Sequence, residues 1–193
     1  MKTSAFSLVE LLVVVAILAL LASLLVPAFN SLARGRQLDQ AGQLLVDKIV
    51  LARQEGKAKN RDVEVRIVDL PLHSTNGWRG LQLWIADAQG VMAPLGRLEK
   101  FSETVLIGPG SSLSPLLTAD TNRTGTNNFG GAGSRSWRGF RIRPGIAMDQ
   151  GLITTNNNFL TVVPANDVTS QPPANFYTIR VNPVTGRVTT YRP

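Results

Sequence analysis

The chain contains no cysteine and a single histidine in 193 residues. Without thiols there can be no disulfides, no thiolate catalysis and no Cys-based metal site. One histidine cannot build a His-rich metal centre. His73 sits in the turn-like "DLPLHSTNG" with no Ser or Asp constellation around it, so it is expected on a surface loop. Acidic residues are few: 13 Asp and Glu against 20 Lys and Arg, a formal net charge of +7. Asp69, Asp87, Asp120, Asp149 and Asp167 are scattered near turn signals, where Asp caps backbone. "GPGSS" (Gly108 to Ser112) lacks the lysine of a phosphate loop, and Asn122-Arg123-Thr124 is a glycosylation sequon of a kind common by chance. The expectation is no catalytic residue, no metal, no cofactor and no enzyme. The basic surplus bears on partners rather than on fold: it suits nucleic acid, anionic lipid or acidic proteins.

What the chain does have is one long apolar run, "AFSLVELLVVVAILALLASLLVPAF", Ala5 to Phe29. As a helix, Phe6 to Phe29 spans roughly 36 Å, enough for a hydrocarbon core of about 30 Å. Its start carries a carboxylate, Glu10. Charged residues cost about 2.5 to 3.5 kcal/mol at the centre of an inserted helix, so Glu10 calls for a partner. A secretory signal peptide cut near Val26-Pro27-Ala28 or Ser31-Leu32-Ala33, an ordinary signal anchor and a buried core helix are three readings that leave Glu10 unexplained. Lys2 before the run and Arg34 and Arg36 after it give only a weak positive-inside bias. A cut between Ala5 and Phe6 supplies the missing partner. Phe6 then carries a new amine four residues before Glu10, and in a staggered bundle Glu10 of one copy can meet the amine of the next. Breaking such a buried pair typically costs several kcal/mol, so the carboxylate becomes a register device for assembly.

This stretch resembles the class III signal of type IV pilins and type II secretion pseudopilins. Lys2 resembles the basic leader, Phe6 the residue that becomes N-terminal and N-methylated, and Ser7-Leu8-Val9-Glu10 the signature after the cut. Pro27 stands where the family often has a helix-kinking proline. Ala5 precedes the cut where the family usually has glycine. The resemblance implies cleavage by a membrane prepilin peptidase and assembly with other pilin or pseudopilin subunits through the helix. It also implies a bacterial inner-membrane location, single-pass in inner membrane lipid, with the C-terminal domain periplasmic.

Residues 30–56 read as a continuation of the helix outside the membrane. Leu38, Ala41, Leu45, Ile49 and Ala52 recur at three- and four-residue spacing, and Gly56 amid Lys57 and Lys59 is the expected stop. Gly35 and Gly42 read as tolerated defects of about 1 kcal/mol each, or as points of close packing. Beyond Gly56 the period changes. Strands are expected around Val63–Ile67, Leu81–Ile85, Leu98–Phe101, Thr104–Ile107, Phe140–Arg143, Phe159–Val163, Tyr177–Val181 and Arg187–Tyr191. Ala88-Gln89-Gly90 marks a turn, and Asn182 to Gly186 joins the last two strands as a hairpin loop. The Gly/Ser/Thr/Asn-rich stretch at about 108–136, with "DTNRTGTNNFGGAGS" at its centre, reads as a long mobile loop. The organisation expected is thus a leader over 1–5, an assembly helix over 6–29, an amphipathic extension over 30–56 and a β-rich domain over 57–193. The fold class is α+β: a long helix on an antiparallel sheet that covers its stripe.

Arg123, Arg135, Arg138, Arg141 and Arg143 interleave with Trp137 and Phe140, and no acidic residue occurs from Thr121 to Met148. Arg180, Arg187 and Arg192 follow. Cations with aromatics suit phosphate contact and base stacking. Arg135, Arg138, Arg141, Arg143, Arg187 and Arg192 are therefore candidate contacts for DNA or a partner protein. Their alternation with Phe140 and Ile142 equally suits a solvated strand face. The ending "YTIRVNPVTGRVTTY" is similar to that of H-type minor pseudopilins and FimT-like proteins; in the FimT-like proteins a C-terminal Gly-Arg region is associated with DNA uptake, and Gly186-Arg187 stands at the comparable place. The N-terminal stretch is also similar to the Verru_Chthon cassette protein D family. The resulting expectation is a minor pilin-like subunit of a type II secretion or type IV pilus-type fibre. The alternatives are a DNA-binding minor pilin, or a secreted soluble protein cut by signal peptidase I.

Overall fold

A computed structural model describes residues 7–72, 75–118, 123–145, 148, 158–168 and 171–193, with side chains of residues 24–32 and 75–76 outside that set. His73, Asp120 and Asp149 lie outside the described residues. One helix, α1, runs Leu8–Lys59. Among the described residues nine strands follow: β1 Val63–Leu72, β2 Thr75–Ala86, β3 Met92–Lys100, β4 Val105–Ile107, β5 Arg123–Asn128, β6 Ser134–Ile142, β7 Phe159–Pro164, β8 Tyr177–Val181 and β9 Val188–Tyr191. The fold is α+β. The strands form two antiparallel sheets rather than one, in the orders β3-β2-β1-β6-β5 and β4-β7-β8-β9.

The chain divides into two compact units, residues 1–36 and 37–193. The boundary therefore falls inside the helix, and the amphipathic part of α1 belongs to the globular unit. The reason is packing. Leu38, Ala41, Leu45, Ile49 and Ala52 are all buried in one core. Val63, Val65, Ile67, Leu81, Leu83, Phe140 and Ile142 of the first sheet join them, as do Val105, Ile107, Leu160, Val162, Ile179 and Val181 of the second. The stripe thus closes against both sheets, and its burial supplies the helix stability that propensity alone does not.

Gly42 is no tolerated defect. A Cβ there would lie 2.5 to 2.7 Å from the Tyr177 ring, so the glycine lets β8 approach the helix. Gly56 does not stop the helix either. Asn60 takes the left-handed conformation (φ 51°), Arg61 N–H donates to Gly56 O at 3.0 Å and Asn60 N–H to Lys57 O at 3.3 Å. These two bonds form a Schellman closure.

Residues 108–136 are not one loop. A 3-10 turn at Pro115–Leu117 is buried, and Arg123–Asn128 form β5, paired from Arg123↔Gly139 to Asn128↔Ser134. The β5–β6 tip closes through a second 3-10 turn at Gly130–Ala132. The C-terminal hairpin follows its sequence signal: Asn182 Oδ1 accepts from Val184 N–H (3.0 Å) and Thr185 N–H (2.8 Å), and Gly186 takes φ 66°. Asp87 caps the β2–β3 turn through Gln89 and Val91 N–H at 2.9 and 2.8 Å. Asp69, by contrast, lies within β1, where the register with β2 shifts.

Candidate functional site

Two regions carry unusual side chains. The first is the start of α1. Ser7 and Glu10 form a reciprocal capping box: Ser7 N–H donates to Glu10 Oε2 (3.2 Å), and Glu10 N–H to Ser7 Oγ (3.3 Å). Glu10 is also the acidic residue of the first turn, where the helix dipole favours negative charge. The carboxylate thus has a partner within its own helix. The Ser-x-x-Glu spacing before an apolar run could have revealed it.

The residues that follow are apolar on every face and exposed. Relative exposure is 79% at Leu8, 62% at Leu11 and Leu12, 48% at Val14 and 66% at Leu20. A helix apolar all round requires partner helices or lipid. Among the described residues, no helix is long and apolar enough to cross a membrane. The described apolar part, Leu8 to Ser23, rises about 24 Å at ~1.5 Å per residue, short of a ~30 Å hydrocarbon core. The sequence continues the run through Leu24, Leu25 and Val26, whose side chains are outside the described residues. So is the side chain of Pro27, although the helix runs on through it; Ala5 and Phe6 are outside altogether.

The second region is the face of the five-stranded sheet opposite α1. Strand alternation puts Val63, Val65 and Ile67 into the main core and turns Glu64, Arg66, Val68 and Leu70 the other way. Most of this second face is sealed, because Trp84 of β2, Trp137 of β6 and Phe129 of the β5–β6 tip close over it, Phe129 edge-on to Trp84 at 6.1 Å. Beneath them lies a charged cluster. Arg66, 5% exposed, is sandwiched between the rings of Trp84 and Trp137 at 4.0 and 3.9 Å. Its Nε and Nη2 donate to Glu64 Oε2 at 3.0 and 2.7 Å. Glu64, 2% exposed, also accepts from Arg141 Nη2 at 2.8 Å. Arg123 Nε lies 3.3 Å from Glu64 Oε1, an ion pair without hydrogen-bond alignment. Gly139 faces Arg66 across the ladder, where any side chain would run into the Val65 carbonyl. Burial lowers the pKa of Arg66, and the Glu64 hydrogen bond and charge oppose that shift.

The six candidate arginines occupy separate places. Arg141 is tied to Glu64 and, through Nη1 at 3.2 Å, to Asp62. Arg135 shares its sheet face and donates Nε to Ala132 O at 2.9 Å. Arg138 alternates to the opposite face, 5.2 Å from the Trp78 ring centre. Arg143 follows β6. Arg187 and Arg192 flank β9 in the other sheet; Arg187 is exposed, and Arg192 is ion-paired with Asp39 of α1. The sequence predicted none of the roles of Arg66, Glu64 or Trp84. An isolated charged pair inside an apolar strand, with tryptophans on both neighbouring strands, was the available signal.

The family model for the prokaryotic N-terminal methylation motif matches residues 1–26. The chain therefore carries a type IV pilin-like prepilin-type signal, which implies processing by a prepilin peptidase and assembly with other pilin subunits. No curated protein and no solved structure matches the chain.

Proposed function

We propose that the chain is a minor pilin-like structural subunit, a substrate of prepilin peptidase and not itself an enzyme. It serves a type II secretion or type IV pilus-type fibre. The observation that carries this reading is the methylation motif on a helix whose apolar side chains are exposed all round and find no cover within their own unit. Hydrolysis of the Ala5–Phe6 bond adds water across it, leaving a carboxylate on Ala5 and an amine on Phe6; the amine then takes a methyl group from a sulfonium donor, which leaves as the thioether while the nitrogen loses a proton. The helix waits in the inner membrane with the globular unit on the periplasmic side. Inter-helix packing in the fibre then covers Leu8 to Leu21.

The capping box gives Glu10 a state before assembly. In the lone subunit its carboxylate satisfies the Ser7 N–H. In the fibre it turns to the charged amine of a neighbour. Its bond to the Ser7 N–H is already charge-assisted, but the amine brings a full opposite charge, so in a water-excluded fibre interior the exchange favours assembly and sets the stagger between copies. Cysteine pairs placed along residues 11–21 of adjacent copies test this in membranes that contain the cognate machinery. Cross-links should form in the unaltered chain and fall sharply in Glu10→Gln, with Phe6 still exposed by cleavage in both. Unchanged cross-linking in Glu10→Gln would remove the register role.

A further inference from the structure

Two uncovered faces lie on opposite sides of the globular unit. The first is the outer side of α1. Between Gln40 and Gln54 its exposed residues are Gln40, Gln43, Asp47, Val50, Leu51 and Gln54, opposite the buried stripe. One charge in six is little for the exposed side of a helix in a chain of net charge +7, and that charge is negative. Asp47 accepts from Gln43 Nε2 at 3.0 Å and pairs with no cation among the described residues. Lys48, next to it, turns to Glu99 at 3.3 Å. The second face is the outer side of the four-stranded sheet. Ile179 and Val181 enter the core, so Thr178 and Arg180 point away from α1. Their cross-strand partners share that side: Phe159 and Thr189 beside Arg180, Tyr191 beside Thr178. With Phe176, tilted on Tyr191 at 5.9 Å, they wall a groove of about 550 Å³ in which no wall residue is acidic. Tyr191 is 60% exposed. Asn182 N–H donates to Arg187 O at 2.8 Å and extends the ladder, which puts the exposed Arg187 on the same side, two residues before Thr189.

We propose that the α1 side of one copy seats in the sheet groove of the next. Val50 and Leu51 lie on the bed of Phe159, Phe176 and Tyr191, and Asp47 meets Arg187 at the rim. The two faces cannot meet within one copy, because the core lies between them. The occupant is a second copy because the complement of the groove, aliphatic side chains beside a carboxylate, stands on the chain itself. A polyanion would match the arginines but leave Val50 and Leu51 uncovered. One patch meets a different patch, so the contact is heterologous and repeats head to tail as an open helical fibre. The contact is small, and it works because the N-terminal helices hold neighbours at high local concentration. The inference thus rests on the fibre reading above and names the surface through which the globular units join.

The test uses full chains co-produced in membranes that contain the cognate machinery. The chain has no cysteine, so each introduced thiol is unique. One copy carries Leu51→Cys and a tagged copy carries Tyr191→Cys. Mild oxidation should link them, and Thr189→Cys, in the same groove, should behave as Tyr191→Cys. Links between two Leu51→Cys copies, or two Tyr191→Cys copies, should be at least about tenfold weaker, because the contact is not isologous. Asp47→Arg and Arg187→Glu should each lower the 51–191 product severalfold, and the two together should restore it. Cross-links along residues 11–21 should persist in all of these. If the 11–21 links form and neither groove position links to residue 51, this contact is overturned while the fibre reading stands. If neither set forms, both fall. Equal 51–51 and 51–191 yields, charge variants that change nothing, or a Tyr191→Cys copy that links only to a different protein would each overturn the proposal.

Discussion

Replacing Glu64 by glutamine keeps its shape and removes its charge, and the structure sets the size of the consequence. Glu64 is sealed from water and receives two hydrogen bonds from Arg66, one from Arg141 and the charge of Arg123. Arg66 Nη1 and Arg141 Nε already lack hydrogen-bond partners, so the cluster has no spare acceptor among the described residues. Removing one member of a buried ionic set typically costs about 3 to 5 kcal/mol, because the remaining charge stays buried and uncompensated. The two Trp–Arg contacts, about 2 kcal/mol each when desolvated, hold the guanidinium in place and prevent its escape to solvent. For a unit of this size, 1 kcal/mol is about 2 to 4 °C, so Glu64→Gln should lower Tm by about 6 to 20 °C. Thermal unfolding of the full chain in detergent, read by tryptophan fluorescence, measures this directly, because Trp84 and Trp137 contact Arg66. Asp62→Asn, at the half-exposed end of the same cluster, should cost no more than about 1 kcal/mol. The double variant Glu64→Leu with Arg66→Met should recover most of the loss, since an apolar replacement removes the buried charge altogether. A drop below about 2 °C for Glu64→Gln would mean that the arginines find other compensation, and the reasoning would fail.

Gly42→Ala should destabilise the globular unit by about 1 to 3 kcal/mol, despite alanine's better helix propensity, because the methyl overlaps the Tyr177 ring; urea unfolding of Gly42→Ala with and without Tyr177→Ala separates clash from propensity. Ser7→Ala removes half of the capping box and should cost about 1 kcal/mol of helix stability in the isolated subunit, seen as faster amide exchange at residues 8–11. Arg141→Gln should lower stability, through its bonds to Glu64 and Asp62, and leave DNA affinity unchanged, whereas Arg187→Glu should leave stability unchanged; a gel-shift series across salt concentrations, paired with melting curves, checks both.

The amphipathic half of α1 was readable because its stripe is spaced for one face and the stripe is what the core buries. The last hairpin was readable because Asn182 and Gly186 are turn residues with defined work to do. β5 was not. Its Arg-Thr-Gly-Thr-Asn-Asn has no alternation and low strand propensity, and it is an edge strand held by backbone pairing to β6. The burial of Glu64 and Arg66 on β1 was not legible for a related reason. Alternating Glu64 and Arg66 resembles a solvated face, but tertiary packing of two tryptophans and Phe129 closes it. Glu10 was singled out as needing a partner, and within the chain it has one in Ser7. The cap by Ser7 was local and legible, while the amine of a neighbour belongs to an assembly that one chain does not contain.

The most direct test of the central claim is the mass of the N-terminal peptide from chain recovered in membranes with a prepilin peptidase. The mature protein should begin at Phe6, carry one methyl group on its amine and retain Glu10. A start near Phe29 or Arg34 in soluble material would contradict it, and so would an intact Met1 in the presence of active peptidase.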